Sequence, residues 1–309
     1  MTQSTIDSYL KQLKLPEDFS HKGQNGKVLV IGGSELFHAA SRWSLDMVSK
    51  LVDMVFYTSV PSNNELIKEA KGEFWSGIVI ERSQLEDYLQ EAEVVVIGPG
   101  MERSGDTRIP NNHEEHLIIP TETEWNQNTA RITNYLLAKY PDKRWVVDAG
   151  ALQMVDPILL GKTTIITPHH GELERLEGII NTARKLDDEA FIGLPAEKRP
   201  LDWLLARGVT VLLKGHTDYV YADENVIEVT GGSPGMTKGG TGDVLAGLVG
   251  GLYCRQDAVT AAVIASYVNK RAGEELSATV GPFFNASDLL TKVPEVLWAE
   301  YQRSLSSPT

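Results

Sequence analysis

Cysteine is almost absent from this chain. Cys254 stands alone among 309 residues, so no disulfide can close within the chain, which fits a reducing, cytoplasmic setting. Cys254 itself falls in an apolar helical pattern and reads as buried filler. Positive charge is also scarce. Against 42 acidic residues there are 29 lysines and arginines, a net charge of -13, which argues against a nucleic-acid or anionic-membrane surface. A nucleotide is not excluded, because it needs only a local positive pocket. No run approaches about 18 apolar residues, so no transmembrane helix is expected. The opening stretch MTQSTIDSYLKQLKLPEDFS is polar and mixed in charge, unlike a signal peptide or a membrane anchor. Repeats, low-complexity tracts and linkers are missing as well. Hydrophobic content of 42% supplies a sizeable core. The expectation is one domain over residues 1–309, with an N-terminal extension at 1–25 and a frayed tail at 304–309.

What is present is a regular alternation of strands and helices. KVLVI (27–31), MVFYT (54–58), VVVI (94–97), the run 145–147, the run 163–166 and VTVLL (209–213) are mostly apolar without period-2 patterning, as strands buried on both faces are. A weaker strand is read at 77–80. Helical spacing lies between them, and one helix is expected over 124–140. Residues 219–222 and 226–229, parted by Asp223-Glu224-Asn225, read as a β-hairpin. The pattern implies an α/β fold: a doubly wound, mostly parallel sheet with helices on both faces. In such sheets functional residues gather at the C-terminal ends of the strands. Gly32–Ser34, Gly98–Gly100, Asp148, His169–Glu172 and Lys214–Gly215 all fall there. Residues 101–122 have no period and form a long loop. Its His113 and His116 lack clear partner ligands for a metal.

The chemistry is concentrated in Thr230–Gly247, TGGSPGMTKGGTGDVLAG. Gly239, Gly240, Thr241 and Gly242 precede one carboxylate, Asp243, and an apolar helix follows. Glycines let the backbone approach a ligand with bare N–H groups, and the helix would point its N-terminus at an anion. A carboxylate there repels phosphate unless it has work to do, such as taking a proton from a hydroxyl. The bland alternative is a glycine-rich turn with Asp243 as a helix N-cap.

Six segments then match a family in its own order. They are VIGGSELFHAA (30–40), IGPGM (97–101), VDAGAL (147–152), TPHHGE (167–172), LKG (213–215) and SPGMTKGGTGDVLAG (233–247). The chain resembles the ADP/ATP-dependent NAD(P)H-hydrate dehydratases of the ribokinase-like superfamily, whose fold is a three-layer sandwich. The resemblance implies dehydration of hydrated NADH or NADPH back to the reduced cofactor, with ADP or ATP as phosphoryl donor and Mg2+ as cofactor. Hydroxide is a poor leaving group and phosphate a good one, so phosphorylating the ring hydroxyl lets it depart. By the resemblance Asp243 is the general base and a substrate contact. Ala40, Gly100 and His169 line the hydrate pocket. Lys214, Gly215, His216, Thr217 and Asp218, with Gly239, Gly240, Thr241 and Gly242, hold the nucleotide. Glu172 organises magnesium, through water. Asp148 has a supporting role, and Lys238 either adds charge to the phosphate site or faces solvent.

The chain departs from the family pattern at several places. Phe37 stands where tyrosine is common, Ala39 and Glu102 where glycine is common, Gly150 for an aspartate and His170 for a proline. Either histidine of the 169–170 pair is a candidate to face the substrate. The first strand begins too early for a fused epimerase domain, so a separate epimerase is the expected partner, along with a homo-oligomeric assembly. Two other functions compete. One is a kinase of the same superfamily acting on a small vitamin-type alcohol; the other is a non-catalytic nucleotide-binding regulator. The presence of Asp243 argues against the regulator.

Overall fold

The apolar runs pair side by side because each can bury both faces only inside a sheet. The computed structural model describes residues 2–70, 76–105, 113–185 and 199–306. Strands β1 (Lys27–Ile31), β2 (Met54–Thr58), β3 (Gly77–Val79), β4 (Val94–Ile97), β5 (Arg144–Val147), β6 (Thr164–Ile166), β7 (Thr210–Leu213), β8 (Asp218–Ala222) and β9 (Asn225–Val229) form one sheet. Their order is β3-β2-β1-β4-β5-β6-β7-β8-β9. From β3 to β7 every pairing is parallel. The hairpin of β8 and β9 adds two antiparallel strands at one edge. Its turn is Asp223-Glu224, with Asp223 at φ +50°, since Asn225 already pairs with Ala222. This is the mostly parallel α/β architecture expected from the alternation.

Period-2 geometry divides the core in two. Val28, Val30, Val94, Val96 and Val146 pack on one face, under the helices Ala39–Ser49, Thr241–Tyr253, Ala258–Val280 and Ala286–Ser306. Leu29, Ile31, Val95, Ile97 and Trp145 pack on the other, under Leu85–Glu91, Thr129–Lys139, Ala149–Met154, His170–Lys185 and Pro200–Ala206. The first strand residues alternate between these layers, which is why the runs look uniformly apolar. Cys254 is buried, as filler should be.

Three local readings change. The single helix read over 124–140 is two, Glu122–Gln127 and Thr129–Lys139, because the Asn128 side chain caps the second by accepting from the Arg131 N–H. The 1–25 extension carries the helix Gln3–Leu10, which buries Ile6 and Leu10 in the first core layer. The last helix runs to Ser306 and buries Ser304, so fraying does not begin at 304. The stretch 101–122, read as a loop, contains a short helix at His113–His116, and its buried His116 places Nε2 3.0 Å from Asp156 Oδ2, a structural pairing. The expected interruption near Gly193–Pro195 lies outside the described residues.

Candidate active site

All parallel strands end on the same side, and their C-terminal loops meet there. The β1 loop turns through Gly33, whose N–H donates to Pro99 O at 2.8 Å. Gly100 has φ +73°, and a Cβ on it would lie 3.1 Å from Ala40 Cβ and 2.8 Å from Phe37 O. Ala40 and Gly100 are thus brought into contact. Ala40 opens the helix Ala39–Ser49. That helix lies against Thr241–Tyr253, tied by Ser44 Oγ donating to Asp243 O at 2.6 Å. Ala40 and the candidate base therefore sit on neighbouring helices.

Asp243 occupies the first turn of its helix, but it is not the cap. The N-cap is Gly240, at φ +96°, and no side chain makes a capping bond. Glycine is required at 240 because a Cβ would come within 2.3 Å of Trp43 Cζ3. The first-turn N–H groups have no intrahelical acceptor and face the site with the positive end of the helix dipole. Burial pushes the Asp243 carboxyl up from 3.8 to about 7, the negative charge of Asp148 adds to this, Lys214 opposes it and Glu172 raises it further. A carboxylate poised near neutrality is suited to accept a proton.

Lys214 leaves the end of β7 toward this helix, with its Nζ 3.5 Å from where a Cβ on Gly242 would be. It is held by Asp148 Oδ1 at 2.8 Å, an oxygen that also accepts from Thr167 Oγ1 at 2.8 Å. Burial alone would depress the ammonium, but Asp148, Glu172 and Asp243 outweigh it and hold it above its ordinary value. Asp148 is fixed by its N–H donating to Ile97 O, and Ala149 after it adopts φ +45°, a strained conformation of the kind found at functional sites. The glycine at 150 has a steric reason, since a Cβ there would meet Met101 O at 2.0 Å.

The pair His169 and Glu172 opens the helix His170–Lys185 reciprocally. The Glu172 N–H donates to His169 Nδ1 at 3.2 Å, and the His169 N–H donates to Glu172 Oε2 at 2.9 Å. With Nδ1 accepting, Nε2 carries the proton of the neutral ring and lies 3.7 Å from Glu172 Oε1. The imidazole of His169 stays 60% exposed and lines the adjoining cavity, whereas His170 packs beside Gly215. Glu172 Oε1 also accepts from Gln153 Nε2 at 2.9 Å.

That cavity, of about 640 Å³, is lined by Lys214, Gly215, His216, Asp218, Thr241 and Gly242 among the expected residues. Thr217, Gly239 and Gly240 do not line it. A Cβ on Gly239 would meet nothing within 4 Å, so that residue is open to solvent. The Asp218 carboxylate is engaged within the protein: Oδ1 accepts from the Gly215 N–H at 2.9 Å and pairs with Lys270 Nζ at 3.1 Å, while Oδ2 accepts from Ser266 at 2.7 Å. Asp218 therefore builds the wall. Lys270, which no motif pointed to, also donates to Gly215 O and His216 O at 3.0 Å each. Lys238 does not add charge to the phosphate site. It is bound to the carbonyls of Pro282 and Phe284, and lies 5.4 Å from the Phe284 ring centre.

The profile of the NAD(P)H-hydrate dehydratase family matches residues 28–295. The chain belongs to the NAD(P)H-hydrate dehydratase family. Within that family it is 30% identical to an ADP-dependent (S)-NAD(P)H-hydrate dehydratase of Cenarchaeum symbiosum, over 90% of each chain. It is 31% identical to a bifunctional NAD(P)H-hydrate repair enzyme of Methanocaldococcus jannaschii, over 93% of this chain and 51% of the relative. The chain spans about half the length of such bifunctional relatives. Among solved structures it is similar to the ADP/ATP-dependent NAD(P)H-hydrate dehydratase of Bacillus subtilis co-crystallized with ATP/Mg2+, with a TM-score of 0.65, 20% identity and 97% of both chains covered. The fold is the ribokinase-like one of the resemblance. Among the described residues no helix is long and apolar enough to cross a membrane.

Proposed function

We propose that this chain dehydrates the hydrates of NADH and NADPH at the expense of ADP or ATP, with Asp243 as the base. The observation that carries this is a carboxylate raised to about 7 at the mouth of a helix N-terminus, beside a lysine and next to a nucleotide-sized cavity. The ring hydroxyl gives its proton to Asp243 as its oxygen attacks the donor's terminal phosphorus, and the bridging P–O bond breaks. First-turn N–H groups and Lys214 hold the charge on the transferred phosphoryl group. The ring nitrogen's lone pair then expels phosphate, and loss of a proton from the adjacent carbon restores the ring double bond. Ala40 and Gly100 form the hydrate side of the site, and the exposed edge of His169 faces the reacting region. Gly215 and His216 flank the donor; Thr217, Gly239 and Gly240 shape the loops that present these contacts.

Magnesium fits the same place through water. The donors are hard carboxylate oxygens, and Glu172 keeps lone pairs beyond its two hydrogen bonds. Among the described residues no three acidic, histidine or cysteine side chains cluster closely enough to hold an ion directly, which suits an ion that retains several waters. Glu172 and Asp148 would hold it, and when bound it would neutralise the donor's phosphate charge.

We further propose that a separate epimerase supplies substrate, because the longer relatives are bifunctional repair enzymes. We propose a homo-oligomeric assembly, which sedimentation velocity would read, in the reducing cytoplasm that the single cysteine suits. The reaction is tested by adding NADH hydrate with ADP, and separately with ATP, and following recovery of reduced-nicotinamide absorbance. Release of inorganic phosphate supports the dehydratase; phosphate retained on an alcohol product, with no NADH recovered, makes it a kinase and ends this reading.

A further inference from the structure

The helix Ala39–Ser49 carries Ala40 and, three positions on, Trp43. Residues three apart share a helix face and differ by about 4.5 Å along its axis. Ala40 Cβ lies 3.1 Å from where a Cβ on Gly100 would be, and the Trp43 ring fills the place of a Cβ on Gly240. One helical turn therefore touches the proposed hydrate side through Ala40 and the N-cap of the phosphate-facing helix through Trp43. Gly240 has no capping side chain, so packing has to hold it. Thr241 Oγ1 lies within hydrogen-bond reach of Met236 O at 2.6 Å and Lys238 O at 3.0 Å, which closes the glycine loop on itself. Lys238 joins that loop to Pro282 and Phe284. The half-buried indole of Trp43 joins it to the helix of Ala40: the ring lies against Gly240, and Nε1 donates to Ser287 Oγ at 3.2 Å. Beside it Ser44 Oγ holds Asp243 O, and the two helices come so close that a Cβ on Gly247 would meet Ser44 O at 2.6 Å. Ser44 and Gly247 thus fix the bodies of the two helices, and Trp43 fixes the loop that leads into the second.

We propose that Trp43 is a positioning residue for the phosphoryl transfer described above: its ring sets the spacing between the hydrate's hydroxyl and the phosphorus held at the helix N-terminus. It touches neither reactant and acts through Gly240. A planar ring with two rotatable bonds is a stiff spacer at small entropic cost. When reacting groups are misplaced by about 1 Å, the rate falls on the order of a hundredfold. If the spacing drifts, each reactant still meets its own side of the site, so binding survives and turnover does not. The inference rests on the dehydratase reading, and a second readout of the same ring stands apart from it.

The test compares the full chain with Trp43→Phe, which keeps a ring against Gly240, and Trp43→Leu, which keeps apolar bulk without one; circular dichroism checks that both fold. With NADH hydrate and magnesium nucleotide, Trp43→Leu should lose at least about tenfold in kcat while both KM values stay within about threefold of wild type. Trp43→Phe should return to within about threefold of the wild-type kcat. Packing alone predicts a lower melting temperature and an unchanged kcat for the folded leucine variant. An unchanged kcat in Trp43→Leu, a loss carried by KM, or a Trp43→Phe as slow as the leucine variant would overturn the proposal. The second readout is emission. The chain has six tryptophans, so the spectrum of wild type minus that of Trp43→Phe isolates Trp43, and it should change when magnesium nucleotide binds, with binding followed by calorimetry. This arm decides if Trp43→Leu does not fold, or if wild type binds nucleotide without recovering NADH, an outcome that sinks the dehydratase reading by itself. A difference spectrum that nucleotide leaves unchanged, or no nucleotide binding at all, would overturn the role given to Trp43.

Discussion

Asp243→Asn should make the protein more stable at pH 8 and inactive at the same time. In the folded chain the Asp243 carboxyl is raised from 3.8 to about 7, chiefly by burial. Between those values the folded state holds a proton that the unfolded state has lost. Stability therefore falls as pH rises through this window, and the full penalty is present above about 7. A shift of roughly three units corresponds to about 4 kcal/mol at most, an upper figure because the charge on Asp243 is coupled to the charged side chains beside it. Asparagine keeps the shape and carries no charge. Denaturant unfolding of both proteins from pH 4 to pH 8 reads the difference. The variant should gain up to a few kcal/mol at pH 8, with the gain shrinking toward zero near pH 4. A lost cap predicts instead a variant less stable by about 1 kcal/mol at every pH. A difference that does not change with pH would refute the reasoning.

The neighbours of Asp243 should move its titration in opposite directions. Because Lys214 lowers the Asp243 pKa and Asp148 raises it, the acid limb of kcat/KM should rise by about one unit in Lys214→Met and fall by about one unit in Asp148→Asn, read from full pH–rate profiles; shifts of the same sign would exclude the arrangement. Gly240→Ala introduces a Cβ 2.3 Å from Trp43 at φ +96°, and should cost at least about 2 kcal/mol in urea unfolding; a neutral effect would mean the loop is not held as described. Removing magnesium with EDTA should abolish turnover while leaving the melting temperature within about 1 °C, since the hydrogen bonds of Glu172 are made to Gln153 and His169; a large loss of stability would make the ion structural.

The strands were legible because β1 and β4 are apolar on both faces, and that pattern has one good solution. The loops were legible as a group because each cluster followed a strand. The break at Asn128 was not, since its capping bond depends on local backbone geometry inside a continuous polar–apolar pattern. Lys270 and Gln153 were missed for a related reason: each is a single polar residue in a helix, and its partners come from elsewhere in the chain. The spacing of the motif already favoured Asp243 as a base over a helix cap, and the placement of Gly240 as N-cap removes the cap reading. Either of His169 and His170 was a candidate from the motif, and the ring orientation that the bonds with Glu172 give His169 could not be read from it.

The role of Asp243 is tested most directly by turnover of NADH hydrate in Asp243→Asn beside wild type, with nucleotide affinity measured on the same preparations. Wild type should restore reduced-nicotinamide absorbance with ADP or ATP. The variant should lose at least about a hundredfold in rate, the low end for a missing general base, while binding the nucleotide as well or better, because a negative charge has left the anion site. Near-normal dehydration by a folded Asp243→Asn protein would contradict the account.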